Sequence, residues 1–439
     1  MKNKLRIREE FLVLLFAWVF VIEATTFYVR SNRIDNGFQL WSCIMMFLFV
    51  VYRNKYRPIY VNDIFLGYIF LVLLVLLQDV LGERMAGIFV GITYLLPLIL
   101  FLYITDYYHS KSFVNNAIFK IPLIYGTIAA IPGIVLEIMN FMRIHIPVER
   151  VFVEKTGNWV DMVPFGLGGY ATWGQMMGRS LVRIQGYYIE PSKMAAFLLI
   201  PIFISWGFYK KRNRKRYIFL SAIYFMCFLF TMSRAGLIAF IGAIVVEKVL
   251  TGNKKQGWAG CVNEKTERRD IVKLVVAGVL FILAAVLAIQ LMVALSSFFP
   301  TLEFLHVGIS DENGRANLIR QETVDIQYIL KALLKKPMGY GFFNSIRGAG
   351  EIETNLANAL MLWLVTGGIA GAIIAVSIVL MGMFRYGVPA LKSGDPIKRS
   401  LAKSFIGLTI HGLSYGTWMS VDYLIILALL CAVKGKKIK

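Results

Sequence analysis

The feature that most constrains this chain is the length of its apolar segments. Hydrophobic residues make up 58% of the 439 residues, whereas soluble domains contain about 45–50% apolar residues even when glycine is counted. The excess is gathered into blocks of roughly 16–25 residues, which as helices would cross a hydrocarbon core about 30 Å thick. No remaining segment is polar enough to form a soluble domain. The chain is therefore predicted to be an integral membrane protein.

The apolar blocks predict an all-α polytopic membrane protein with about twelve transmembrane helices. The first block is longer than the core of a signal peptide and lacks a small-residue cleavage site after it, so it is predicted to stay in the protein as a span. The predicted spans are residues 11–29, 37–52, 61–80, 86–105, 121–140, 194–209, 217–232, 235–250, 274–296, 355–380, 401–416 and 418–433.

The basic residues predict how these spans are oriented. With the N-terminus inside, 31 of the 47 Lys and Arg residues fall on the cytoplasmic side and 16 fall outside. An excess of Lys and Arg in cytoplasmic loops is the usual determinant of topology. The densest run, residues 210–216, is therefore predicted to be cytoplasmic. Both termini are predicted to lie in the cytoplasm, with the protein in the inner (cytoplasmic) membrane.

The net charge of +21 is of the size found in proteins that bind nucleic acid. Because the charge concentrates on one predicted face, topology and attraction to anionic lipid headgroups explain it. The expected environment is a lipid bilayer, and no nucleic-acid partner is expected. No disulfide is expected either, since every cysteine is predicted to lie in a span or on the cytoplasmic side: Cys43, Cys227, Cys261 and Cys431.

Two connections between spans are long, and both are predicted to face outward. They are residues 141–193 and 297–354, whereas the polar loop 251–273 is predicted to be a cytoplasmic tether. Together with the spans they form one predicted membrane domain, residues 1–439. Long loops in a compact protein are usually functional. The function is therefore expected on the external face.

The second external loop is predicted to contain an amphipathic helix from Arg315 to Lys336. Such a helix would lie along the outer membrane surface without crossing it. Its predicted apolar face holds Leu318, Ile319, Ile326, Ile329, Leu330 and Leu333, and its polar face holds Arg320, Gln327, Lys331 and Lys335.

The usual catalytic signatures are absent from the sequence. It has no phosphate-binding P-loop, no cysteines or histidines at metal-ligand spacing, and no nucleophile elbow. The chemistry is therefore predicted to need no nucleotide, metal, other cofactor or covalent nucleophile. Transfer from an already activated donor satisfies these conditions.

Arginines at three external positions are candidates for binding a phosphorylated substrate. Arg183 precedes a predicted span, Arg234 lies in the short turn 231–236 between two spans, and Arg315 and Arg320 lie on the loop helix. Guanidinium groups bind phosphate oxygens in a planar, bidentate geometry, and a charge at membrane depth is costly unless it is partnered. The alternative is structural, as interface anchors that snorkel or as a solvated polar face.

Glu190 is the favoured candidate for a general base acting on a sugar hydroxyl. It precedes Pro191, which suits the first turn of a helix and places Glu190 close to the outer boundary. Three other external acids stay open for this role: Asp311, Glu351 and Glu353. Further polar residues are interpreted as interface residues at outer helix ends (Asp79, Glu137, Asp422) or as interhelical hydrogen-bonding groups (Glu23, His411).

Several short motifs follow one another across roughly residues 180–380, on the predicted outer side. The motifs are Arg183-x-x-Gly186 leading to Glu190-Pro191, Met232-Ser233-Arg234-Ala235-Gly236, Gly314-Arg315, Pro337-Met338-Gly339-Tyr340-Gly341, Glu353-Thr354-Asn355 and Thr366-Gly367-Gly368-Ile369-Ala370-Gly371. In their types and order they resemble the motifs of bacterial O-antigen polymerases and O-antigen ligases.

The resemblance implies a membrane glycosyltransferase whose donor is a saccharide on undecaprenyl diphosphate. It implies that Arg183, Arg234 and Arg315 bind the diphosphate, with Arg320 as a helper. The implied product is O-antigen of lipopolysaccharide, capsule or exopolysaccharide, and the implied partners are the undecaprenyl-diphosphate-linked oligosaccharide and a chain-length regulator protein. Preorganised arginines would stabilise the negative charge that develops on the leaving diphosphate.

One departure from the family pattern favours a polymerase over a ligase. Ligases of this family carry a histidine just before the span that begins here near residue 355, where this chain has Glu353-Thr354-Asn355. Two alternatives stay open, an O-antigen ligase and a lipid-linked oligosaccharide flippase. A flippase would line a central cavity with charges from many helices, whereas the notable arginines here cluster on one predicted face.

Overall fold

The computed structural model describes residues 48, 51–52, 58–109, 111–144, 149–153, 158–162, 173–176, 179–184, 186, 188, 191–251, 329, 331–342, 359–414, 418 and 420–438. Most of these residues are helical. The helices are α1 (Asp63–Leu81), α2 (Met85–His109), α3 (Ile121–Phe141), α4 (Pro191–Arg212), α5 (Lys215–Phe230), α6 (Arg234–Thr251), α7 (Ala359–Gly382), α8 (Val388–Leu391), α9 (Pro396–Gly412) and α10 (Val421–Val433).

Four helical segments within the described ranges are long and apolar enough to cross a membrane. They are Asp63–Leu81, Ile118–Phe141, Pro191–Arg212 and Ala359–Leu391, and α10 is a shorter apolar helix. Predicted spans 11–29 and 274–296, and most of 37–52, lie outside the described residues, while each of the other predicted spans overlaps a helix. The described part of the chain is thus a bundle of helices suited to a membrane.

Stripes of exposed apolar side chains show which helix faces require a non-aqueous solvent. On α1 and α3 these residues recur every three or four positions and so share one face. A continuous apolar face of this size on a folded protein marks a lipid or protein contact. The α1 stripe is Leu66, Phe70, Leu73, Leu77 and Val80, and the α3 stripe is Ile124, Ile128, Ile131, Val135 and Ile138.

Side-chain caps explain where three of the helices begin. The Asn62 side chain accepts a hydrogen bond from the Ile64 amide at the start of α1, and Asp395 accepts one from Ile397 at the start of α9, both 2.9 Å long. Ser420 accepts one from Tyr423 at the start of α10. Each cap satisfies one of the amides that a helix N-terminus leaves without an intrahelical partner.

Residues 141–193, which were predicted to form the first external loop, contain short β-strands in this mostly helical chain. Strands β2 (Glu149–Val153) and β3 (Asn158–Met162) form one antiparallel hairpin, and β4 (Trp173–Met176) and β5 (Arg179–Val182) form a second. A short parallel pair joins β1 (Phe113–Val114) to β6 (Lys437–Ile438). Helical periodicity carries no information about these pairings, because the paired strands are only two to five residues long.

Helix α7 differs from its predicted span, 355–380. It starts at Ala359 among the described residues and continues through a π-helical turn (Met383–Gly387) into α8, which ends at Leu391. It is broken at Gly368, where φ is 65° and ψ is −162°. The part from 369 to 391 is about 34 Å long and spans a bilayer by itself. The break therefore lies near one boundary of the hydrocarbon core.

The segment Pro337–Phe342, which we name the strap, fills the break in α7. The amides of Tyr340 and Gly341 donate to the carbonyls of Val365 and Thr366 at 2.8 and 2.9 Å, and the Ile369 amide donates to the Pro337 carbonyl at 3.2 Å. The strap thus satisfies the backbone groups that the break removes from the helix, and these groups are costly to leave bare at membrane depth.

The end of the predicted loop helix precedes the strap. Residues 331–335 are helical; Ile329 and Leu333 are buried against Tyr340 and Val365, and Lys331 and Lys335 are exposed. Residues 315–328 lie outside the described ranges.

Asp79 is a buried structural residue, and its interpretation as an interface residue is wrong. It is fully buried, and its Oδ2 atom accepts a hydrogen bond from the Phe342 amide at 2.6 Å. Nearby, Arg84 Nη1 donates to the Tyr340 carbonyl at 2.8 Å. Both residues lie at the turn between α1 and α2, so this turn holds the strap against the bundle.

Candidate functional site

Arg183 contacts the turn between α5 and α6. Its Nε atom donates to the Thr231 carbonyl at 2.9 Å, and its Nη2 atom donates to the Met232 carbonyl at 3.2 Å. The backbone alongside is also held, because the Ile184 amide donates to the Phe230 carbonyl at 3.2 Å. These contacts fix the guanidinium against the bundle at the turn between α5 and α6.

Arg234 is the first residue of α6, so the prediction that it lies inside the turn is wrong by one residue. The turn itself is Thr231–Ser233, with Met232 in the left-handed region at φ 49°. Arg234 is half-buried. It lies two residues after Met232, whose carbonyl binds Arg183. The structure therefore brings two of the predicted site arginines to a single turn.

Two serines join the N-terminal ends of α4 and α6 beside these arginines. Ser233 caps α6 by accepting a hydrogen bond from the Gly236 amide at 3.1 Å, and its Oγ atom lies 2.9 Å from the Ser192 Oγ atom of α4. A helix N-terminus carries a partial positive charge of about half a unit. Two such ends and two arginines converge here, and this arrangement favours an anion.

Gly186 explains the spacing of the Arg183-x-x-Gly186 motif. Its φ is +54°, and a Cβ atom there would lie 2.9 Å from the Ala129 carbonyl oxygen of α3 and 3.1 Å from the Met194 side chain. The segment after Arg183 thus turns through a left-handed residue that is pressed against the bundle. Glycine is the residue that adopts this conformation without steric cost.

Buried polar contacts tie the same region to α9 and α10. The Tyr188 hydroxyl donates to the Asp422 Oδ2 atom at 3.3 Å, and Asp422 is buried in the first turn of α10. Its interpretation as an interface residue is therefore wrong. His411 of α9 is fully buried and interacts with the backbone of Ser192. Residues far apart in sequence thus support the start of α4.

Lys193 is a cation of this region that the sequence analysis did not select. It lies in the first turn of α4 beside Ser192 and is close enough to act electrostatically on the Tyr94 hydroxyl of α2. The Tyr94 ring stacks on Phe342 of the strap with ring centroids 4.8 Å apart. The only available signal in the sequence was its position two residues after Pro191. The strap therefore lies on one side of the N-terminal end of α4, and Arg183 and Arg234 lie on the other.

The other predicted site residues, Glu190, Arg315 and Arg320, lie outside the described residues. Over the described ranges, no group of three His, Cys, Asp or Glu residues could hold a metal ion.

The sequence matches no protein-family model and no curated protein.

Proposed function

We propose that this chain is a membrane glycosyltransferase that polymerises a surface polysaccharide on the outer face of the cytoplasmic membrane. The observation that carries the proposal is the position of two arginines: Arg183 binds the turn that Arg234 directly follows, beside the joined N-termini of α4 and α6. Such a concentration of positive charge at a helix end in a membrane bundle suits a lipid diphosphate. The short motifs on which the family resemblance rests include both arginines.

In the proposed reaction, the growing chain moves from its undecaprenyl diphosphate to an incoming lipid-linked repeat unit. A hydroxyl oxygen at the non-reducing end of the incoming unit bonds to the anomeric carbon of the chain. The anomeric C–O bond to the diphosphate breaks, and the leaving undecaprenyl diphosphate keeps the electron pair. Arg183, Arg234 and Arg315, helped by Arg320, would stabilise this charge. Glu190 would accept the hydroxyl proton.

A reconstituted reaction tests the proposal directly. Purified protein given only the undecaprenyl-diphosphate-linked repeat unit, with EDTA and without nucleotide, should convert it into a ladder of longer lipid-linked chains that gel electrophoresis resolves. An absolute requirement for a divalent metal would contradict the proposal. Product formed only when lipid A core is supplied would instead establish the ligase alternative.

The proposed orientation makes a separate prediction. In a background without native cysteines, single cysteines near residues 160 and 345 should react with a membrane-impermeant thiol reagent in intact spheroplasts. A cysteine replacing exposed Arg214 should react only after permeabilisation, because 31 of the 47 Lys and Arg residues would otherwise face outward. Labelling of residue 214 in intact spheroplasts would reverse the topology and move the site to the cytoplasmic face.

A further inference from the structure

The turn between α4 and α5 concentrates positive charge at the ends of both helices that lie opposite the candidate site. Lys210, Lys211 and Arg212 close α4, Arg214 caps α5, and Lys215 and Arg216 begin α5. Asn213 adopts a left-handed conformation at φ 50°, which reverses the chain between the two groups. All six cations therefore lie at one end of the helix pair.

Only part of this charge is neutralised within the described ranges. Lys211 Nζ lies 2.8 Å from Asp395 Oδ2 and 3.1 Å from the Ile438 carbonyl oxygen. The side chains of Lys210, Arg214, Lys215 and Arg216 are exposed. The turn thus presents an outward cationic surface, with Asp395 engaged by Lys211.

An exposed tryptophan next to this cationic surface is typical of the level of lipid headgroups, while the Tyr217 ring is buried beneath the cations. Lys210 lies 5.3 Å from the centre of the exposed Trp206 ring, and the Arg216 guanidinium lies 4.8 Å from the Tyr217 ring and donates to its hydroxyl. Aromatic and basic side chains are enriched together at membrane–water interfaces, where one end of the ring is apolar and the other is wet.

An exposed apolar stripe on α5 begins within one turn of these cations. Phe219, Met226 and Leu229 are 67%, 52% and 42% exposed. Phe219 lies three and four residues after Arg216 and Lys215, so these side chains are neighbours on the helix surface. From Phe219 to Leu229 the stripe is about 15 Å long, which is half of a hydrocarbon core about 30 Å thick. Its length therefore matches the acyl chain of one leaflet.

We infer that this turn is a binding site for an anionic diacyl phospholipid of the adjacent leaflet. Arg214, Lys215 and Arg216 bind the headgroup phosphate, and one acyl chain lies along Phe219, Met226 and Leu229. Guanidinium groups suit a phosphodiester, whereas the ammonium group of a zwitterionic headgroup would be repelled by the same cations. The inference requires neither the proposed enzyme activity nor a particular side of the membrane.

Native mass spectrometry of the full-length protein tests the site. Protein extracted into mild detergent and titrated with phosphatidylglycerol should retain it with higher affinity than phosphatidylcholine of the same chain length. The triple variant Arg214→Gln/Lys215→Gln/Arg216→Gln should bind phosphatidylglycerol at least about tenfold more weakly, since basic residues near the headgroup attract its negative charge. Phe219→Ser should weaken phosphatidylglycerol binding while the headgroup cations remain.

A charge-matched control separates a site from general attraction. The triple variant Lys392→Gln/Lys434→Gln/Lys437→Gln removes the same charge from exposed positions, two of them close in sequence to the Asp395 and Ile438 groups that contact Lys211. It should retain phosphatidylglycerol within about twofold of the parent protein. Equal losses in both triple variants, or equal retention of the two lipids by the parent, would overturn the inference.

Discussion

Replacing Arg234 with alanine is expected to abolish chain elongation while the protein is still inserted and expressed. Arg234 begins α6 at the turn that also holds Arg183, next to the Ser192–Ser233 contact. Removing one preorganised donor to a developing oxyanion costs about 10²–10³ in rate. The measurement is the rate of ladder growth from lipid-linked repeat unit in proteoliposomes that contain equal amounts of each variant.

Arg234 is the cleaner target of the pair, because Arg183 also donates to the carbonyls of the turn. Loss of the Arg183 side chain would disturb the backbone of the turn as well as the proposed phosphate contact. Arg234→Lys should restore little activity, since an ammonium group cannot reproduce bidentate contacts to a diphosphate.

Arg143→Asn is the matched control for Arg234→Ala. Arg143 is exposed just after α3, on the same predicted face, and asparagine tolerates its positive φ of 58°. This variant should elongate chains normally. Wild-type chain lengths in lysine variants at Arg183 and Arg234 would show that both are ordinary anchors and would remove the main support for the proposed function.

The second large effect is expected for Gly368→Ala, which should prevent the strap from closing the break in α7. Gly368 combines a φ of 65° with a ψ of −162°, a region that is essentially restricted to glycine. A Cβ atom there would lie 2.1 Å from the Pro337 carbonyl oxygen and 2.5 Å from the Met338 carbonyl carbon. Both contacts are with backbone, so no side chain can move to relieve them.

The apparent melting temperature in detergent should therefore fall by roughly 2–7 °C in Gly368→Ala, since backbone strain and lost strap hydrogen bonds each cost about 1–3 kcal/mol. Gly367→Ala is the adjacent control, because its new Cβ atom would meet only side chains, at 3.1 Å from Val75 and 3.8 Å from Leu74. It should melt close to the parent protein. Equal melting temperatures for the two variants would show that the strap contributes little to stability.

The sequence by itself was sufficient to predict the class of the protein and the place of most described helices. Apolar blocks long enough to cross a bilayer produce helices wherever water is absent, because only a helix or a closed barrel satisfies its own backbone there. This is why predicted span 194–209 falls within α4 and predicted span 61–80 overlaps α1 in all but its first two residues. Arg234 could also be selected from the sequence, since a charge in a short turn between two apolar blocks is costly unless it is partnered.

Only the tertiary structure decided which side chains meet. Arg183 and Thr231 are 48 residues apart, Phe342 and Asp79 are 263 apart, and Tyr188 and Asp422 are 234 apart. Hydrophobic periodicity indicates which face of one helix is apolar, and it gives no information about which distant polar groups pair with each other. Asp79 and Asp422 therefore resembled interface acids in the sequence and became buried acceptors in the fold. The break at Gly368 is hidden for the same reason: its conformation depends on backbone contacts with a strap about 30 residues earlier, which local propensity does not encode.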